Sequence, residues 1–222
     1  NKHRGVKRKG NGLPYIVHPL AVMKRVFDNK ETKNMFLLGI ASILHDVIED
    51  CYETMEEKKK GLLEIASIFG VQVASLVDEL TLDKSMYGSL GKKEFLAKEM
   101  NGMSSYALAI KLCDRLENIC DMKSMGEKFK KRYVPETWYI LNSLNRKLSP
   151  SHKKLIEDIK AELSKYEEYN TPAEETINYF VAKVAQGHSC GHIAQQLELA
   201  GATIDEIDGK GHVVYGSTEK SL

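Results

Sequence analysis

The stretch Met35-Phe36-Leu37-Leu38-Gly39-Ile40-Ala41-Ser42-Ile43-Leu44 carries no charge and no proline, and it runs directly into His45-Asp46-Val47-Ile48-Glu49-Asp50. A continuous apolar run of this length predicts a largely buried helix. If the helix continues, His45 and Glu49 are four residues apart, as are Asp46 and Asp50, so the four ionisable groups crowd together. Burying such groups costs heavily unless something compensates them. A divalent cation, with neutral imidazole and carboxylate oxygens as ligands, is one compensator. The alternative is a helix surfacing into solvent with an acidic end, although acids are disfavoured at a helix C-terminus.

The rest of the chain offers further candidates. Residues 1–12, NKHRGVKRKGNG, are basic without an acid. They read either as a solvated charge run or as an anion site, because Arg8 and Lys9 lead into a glycine-bearing loop and suit phosphate contact. In Leu13-Pro14-Tyr15-Ile16-Val17-His18-Pro19, Pro19 fits the first turn of a helix over 20–27. His18 alone would be structural, unless the fold brings it to His45 and Asp46. Residues 62–80 read as a helical hairpin broken near Gly70, 52–60 as an exposed charged stretch, and 81–103 as a mobile loop around a short helix at 92–100. In 106–121, Lys111, Asp114, Asn118 and Asp121 form one polar stripe on an apolar helix. That stripe is either the wet face or the carrier of a second carboxylate, Asp114, for a metal. Two more helices are expected at 134–147, with Pro135 in its first turn, and at 151–167, after a break at Ser149-Pro150-Ser151.

Net charge is +1 over 222 residues, which gives no argument for a nucleic-acid partner. No apolar run is long enough for a transmembrane helix and no signal peptide is visible. The four cysteines form no CxxC pair, which suits reduced thiols and a cytoplasmic location. The chain opens on Asn1 rather than Met, so what precedes it stays open.

Four ordered motifs, HRGVKRKGNGLPYIVHPL, ILHDVIED, FGVQVASLVDELT and IKLCDRLENICD, resemble the HD phosphohydrolase superfamily. Within it they are similar to the hydrolase domain of RelA/SpoT-type enzymes, the small alarmone hydrolases and the metazoan SpoT homologue. The resemblance covers residues 1–167 and implies an all-α, HD-domain helical bundle. Residues 168–222 are then a small C-terminal extension, read as an oligomerisation, regulatory or partner-contact module. Its pattern suggests helices at 177–185 and 191–200 and a β-hairpin around Asp208-Gly209-Lys210-Gly211. His188, Cys190 and His192 lack a second ligand cluster and are not taken as a metal site.

The resemblance implies metal ligands at His18, His45, Asp46 and Asp114, with Glu49 and Asp50 acting on the attacking water. It also implies substrate contacts from Arg8, Lys9, Tyr15, Asn118 and Asp121, and a structural role for His3. Three departures stand out: Cys113 replaces a small alanine, Glu117 stands where an aromatic or histidine is common and could alter base or sugar contacts, and the loop 9–13 is one residue longer than in many bacterial members. The implied cofactor is one divalent ion, Mn2+, with Fe, Zn and Mg not distinguished from it by the residues. The implied reaction removes the 3′-diphosphate of ppGpp or pppGpp as pyrophosphate. The competing readings are an HD phosphohydrolase of another nucleotide such as NADPH, and a non-catalytic nucleotide sensor. The implied partners are a nucleotide, a second copy of the chain, and a cognate small alarmone synthetase; no nucleic acid or membrane is expected.

Overall fold

The computed structural model describes residues 5–8, 10, 12–87 and 91–170, together with the backbone of 204–207 and 213–215. Among these residues the body is helical: α1 (Val17–Asn29), α2 (Met35–Leu44), α3 (Val47–Cys51), α4 (Met55–Phe69), α5 (Val71–Leu80), α6 (Lys92–Gly102), α7 (Ser105–Cys120), α8 (Glu127–Asn142) and α9 (Pro150–Leu163). Short 3-10 turns lie at 84–86, 121–124 and 164–169. The expected all-α bundle is the observed architecture.

Helix α7 is the axis of the body. Ser104 caps it by accepting a hydrogen bond from the Ala107 amide, which satisfies one of the free amides of the first turn. Leu108, Ile110, Leu112 and Ile119 are fully buried along it. Helices α1, α5 and α9 pack around it, supplying Val22 and Val26, Leu80, and Leu155 and Ile159 to one continuous core. Because α7 is covered on nearly all sides, the polar stripe does not lie in water as its bland reading supposed. Lys111 and Asp114 are each only 8% exposed.

Several boundaries differ from the sequence reading. The acidic stretch does not continue one helix. Helix α2 stops at Leu44, His45 and Asp46 form a turn, and α3 restarts at Val47. Asp46 has φ −104° and ψ −4°, the sparsely populated bridge region in which active-site residues often sit. The charged stretch 52–60 is mostly helix, because Thr54 and Glu57 form a capping box that starts α4 at Met55. Helix α8 begins at Glu127, seven residues earlier than expected, and Pro135 lies inside it rather than in its first turn. Ser149 does cap α9, with His152 completing the reciprocal pair.

The expected hairpin strands are present at Ile204–Ile207 and Val213–Tyr215, paired antiparallel with Ile207 opposite Val213. Lys9, His3, the turn 208–211, and the helices read at 177–185 and 191–200 lie outside the described residues.

Candidate active site

Four side chains from three separate parts of the chain converge. His18 projects from the first turn of α1, His45 and Asp46 from the α2–α3 turn, and Asp114 from the middle of α7. Ligand atoms of His18, His45 and Asp46 lie within 4.8 Å of one another. Asp114 Oδ1 is 3.0 Å from His18 Nε2 and 3.7 Å from His45 Nε2. The break after Leu44 is what makes this possible: it turns His45 and Asp46 inward together, where a continuous helix would set adjacent residues about 100° apart.

The surroundings fix each group. His45 Nδ1 lies 2.7 Å from the Ser42 carbonyl, to which it donates, so Nε2 points at the cluster. Such a carbonyl contact is the usual way of fixing the tautomer of a metal-binding imidazole. His45 Nε2 is buried and lies 3.0 Å from Asp46 Oδ2. Tyr15 donates from its hydroxyl to Asp46 Oδ2 at 2.6 Å. Burial and the Asp46 charge both push that phenol far up, so it stays a donor. Asn118 Nδ2 donates to Asp114 Oδ1 at 2.8 Å while Asn118 Oδ1 accepts from Arg8 Nη2 at 3.2 Å. A buried imidazole nitrogen facing two carboxylates and a second imidazole at such short range fits a divalent cation.

The protein groups alone are in electrostatic tension. Burial disfavours an imidazolium at His45, but Asp46 and Asp114 outweigh it and push His45 up to about 10. Burial raises the carboxyls of Asp46 and Asp114 as well. For Asp46 the facing His45 outweighs it, and for Asp114 the hydrogen bonds from His18 and His45 do, with Lys111 adding to both, so both lie well below the usual range. In the metal-free protein, His45 therefore stabilises the fold below its ordinary value of 6.5, and that contribution fades as pH rises through about 10. The lowered carboxyls contribute above their ordinary value of 3.8 and lose that contribution as pH falls.

An ion that takes His45 Nε2 must displace its proton. Uptake of a divalent ion near neutral pH is expected to release about one proton, with apparent affinity rising about tenfold per pH unit up to about pH 10. Calorimetry in buffers of different ionisation enthalpy reads that proton directly, and zero release would contradict this electrostatic picture.

Above the cluster opens a cleft of about 660 Å³, within the roughly 300–1,000 Å³ range of small-molecule sites. Glu49 and Asp50 line it. Glu49 Oε1 is paired with Lys84 Nζ at 2.8 Å. On another wall, Arg8 Nε meets Asp121 Oδ2 at 2.5 Å. Three of the expected substrate residues, Arg8, Asn118 and Asp121, are thus bonded to one another. Arg8 is placed by a tight turn: its amide donates to Leu13, and Gly10 (φ +99°) sits where a Cβ would fall 2.7 Å from Ser124 Oγ. Only glycine suits both the backbone and the space.

One expectation changes. Glu117 is not in the cleft; it is paired with Arg25 of α1 at 2.5 Å, because it falls on the side of Asp114 opposite to Lys111 and Asn118 around α7. Tyr15, expected on the substrate, lines the cleft and donates to Asp46. The sequence reading also missed Lys84, Lys92, Arg115, Tyr133 and Glu136, all of which line the cleft. Lys84 and Lys92 come from the segment read as a mobile loop around a short helix, Arg115 from α7 beside the polar stripe, and Tyr133 and Glu136 from α8, Tyr133 in the portion not recognised as helix.

No protein-family model matches the chain. Individual relatives do. It is 33% identical over 138 residues to human guanosine-3′,5′-bis(diphosphate) 3′-pyrophosphohydrolase MESH1, covering 62% of this chain and 68% of that protein. It is 34% identical over 149 residues to the GTP pyrophosphokinase of Streptomyces coelicolor, covering 66% of this chain and only 16% of that longer protein. A solved structure of a metazoan ortholog of SpoT that hydrolyses ppGpp aligns with a TM-score of 0.58 at 25% identity, over 72% of this chain and 88% of that one. No helix among the described residues is long and apolar enough to cross a membrane. With one-third identity over two thirds of the human protein, and the same helical fold, the chain belongs to the RelA/SpoT family of HD-type hydrolase domains that includes MESH1.

Proposed function

We propose that the chain is a metal-dependent 3′-pyrophosphohydrolase of guanosine 3′,5′-bis(diphosphate) and the corresponding pentaphosphate, releasing GDP or GTP and pyrophosphate. The observation that carries this reading is the meeting of His18, His45, Asp46 and Asp114 beneath a cation-lined cleft, in a chain similar to proteins that hydrolyse ppGpp. The four side chains would hold one divalent ion, manganese by resemblance, which supplies Lewis-acid polarisation of a phosphoryl oxygen and a more acidic water.

The remaining work falls to the chain's own groups. Glu49, oriented by Lys84, is placed to accept the proton of the attacking water, with Asp50 beside it. Water oxygen bonds to phosphorus, the bond from phosphorus to the 3′ oxygen breaks, and that oxygen takes a proton. Arg8 offsets phosphate charge, exchanging part of its pairing with Asp121 and Asn118 for the nucleotide. Tyr15 and Asn118 hold Asp46 and Asp114 in register. Residues 1–167 constitute the hydrolase unit in this reading and 168–222 an appended module.

The test is incubation of manganese-loaded protein with ppGpp, pppGpp and NADPH, with the products resolved. Pyrophosphate from the guanosine substrates is the expected result. Orthophosphate from NADPH, with ppGpp untouched, would replace this reading with the other nucleotide phosphohydrolase.

A further inference from the structure

His18 and Asp114 come together from α1 and α7, and a second polar contact joins the same two helices. Arg25 Nε of α1 donates to Glu117 Oε2 of α7 at 2.5 Å. On α1, Arg25 follows His18 by two turns, so the two lie within about 20° of one face and about 10.5 Å apart along the axis. On α7, Glu117 lies about 4.5 Å beyond Asp114. Val22, between the two contacts on α1, is fully buried. Helix α1 is therefore held on α7 by a packed residue with a polar crossbar on either side. Neither Arg25 nor Glu117 lines the cleft, so the pair lies away from the substrate.

The pair is built into the packing. The Arg25 and Glu117 side chains are 29% and 14% exposed, so it is drier than the surface ion pairs that hold little in place. Cys113 and Cys120 face the same guanidinium, which thus lies along positions 113, 117 and 120, one stripe of α7. Burial would lower the Arg25 guanidinium, but the bond to Glu117 and its charge outweigh that and hold it above its ordinary value. The pair is also placed to act on the cluster. His45 and Asp46 follow α2, which meets α7 chiefly through α1 and α5. Three of the four cluster groups thus belong to the α1–α2 side, and Asp114 to α7. Along α1, His18 lies about 6 Å from Val22 in one direction and Arg25 about 4.5 Å in the other, so a slip of about 1 Å at Arg25 moves His18 by roughly 1.3 Å. A working constellation has to hold to about 0.5 Å.

We propose that Arg25 and Glu117 are a positioning pair for the metal centre: their bond fixes α1 against α7, so that His18 and Asp114 stay within reach of one ion. The inference rests on the metal-dependent reading above and adds two residues to it, neither of them catalytic. Glu117 is the anchor on α7, and Arg25 is the arm that reaches it from α1. Without the bond, Val22 and Val26 still bury the apolar face of α1, so the fold survives. The span from His18 to Asp114 is then no longer set from both sides of Val22.

The test is Mn2+ binding to the full chain, read by calorimetry, with the melting temperature of each metal-free protein measured alongside. Glu117→Gln and Arg25→Gln should each weaken Mn2+ about tenfold, the low end of what partners outside a ligand set contribute. The double variant should lose no more than either single one, because all three remove the same bond. Arg25→Lys keeps the charge and the reach, and should restore most of the affinity. A merely structural pair would lower the melting temperature and leave Mn2+ affinity intact; that result overturns the proposal, as do losses that multiply in the double variant. A ppGpp assay of the same proteins separates the two ideas. If the parent chain leaves ppGpp intact while the shared loss of Mn2+ affinity holds, the guanosine substrate is wrong and the positioning pair stands. If ppGpp is hydrolysed and Mn2+ affinity is the same in every variant, the substrate stands and the pair falls.

Discussion

Asp114→Ala should lose the divalent ion and lower hydrolysis by roughly a thousandfold or more, the several kcal/mol that a metal supplies to a phosphoryl transition state. Asp114 is the single group on which the centre closes. Its Oδ1 faces His18 Nε2 at 3.0 Å and accepts from Asn118 at 2.8 Å, and Lys111 leans on its other oxygen. Removing the carboxylate also leaves the buried Lys111 ammonium without its nearest anion, and breaking a buried pair costs about 3–5 kcal/mol. The variant will therefore melt earlier. Asp114→Asn keeps the volume and the Asn118 contact, so it separates loss of ligation from loss of fold. Metal content by atomic emission should fall from one ion per chain to none in both variants. Retention of a full ion in folded Asp114→Asn would remove Asp114 from the ligand set.

Glu49→Gln should do the opposite: the ion stays and turnover falls. Glu49 is paired with Lys84 across the cleft, whereas His18, His45, Asp46 and Asp114 meet one another. Losing a positioned general base typically costs a factor of about 10²–10⁴ in rate. The loss should appear in kcat with KM changed little. Asp50→Asn is the matched comparison, since Asp50 is exposed at the cleft edge. If Asp50→Asn lowers kcat by this factor and Glu49→Gln does not, the roles of the two acids are exchanged.

The elements around His45 show what was legible from residues alone. The apolar run into His45-Asp46 announced a buried cluster because apolar periodicity and charge crowding are local facts. The stop after Leu44 was not legible: nothing in Leu44-His45-Asp46-Val47 is a helix breaker, and the turn is held by a side-chain contact of His45 to the Ser42 carbonyl and by the tertiary bond from Tyr15 to Asp46. The stripe on α7 was visible as a period, but its burial depended on α1, α5 and α9 closing over it. His18 and Asp114 carried no signal of their own; only the ordered motifs joined them to His45. Lys84, Lys92, Arg115 and Glu136 were missed for a related reason. Each is an ordinary surface residue type, and only the fold turns them toward one cleft. Glu117 was misplaced because it falls about 60° to one side of Asp114 around α7, while Lys111 and Asn118 fall about 60° and 40° to the other.

The most direct test of the central claim is an anomalous difference map from crystals of the manganese-loaded protein, collected at the manganese edge. The account predicts one peak per chain, within ligand distance of His18 Nε2, His45 Nε2, Asp46 and Asp114, at the base of the cleft. A peak elsewhere, or a peak at this place that lacks His18 or Asp114, would contradict it.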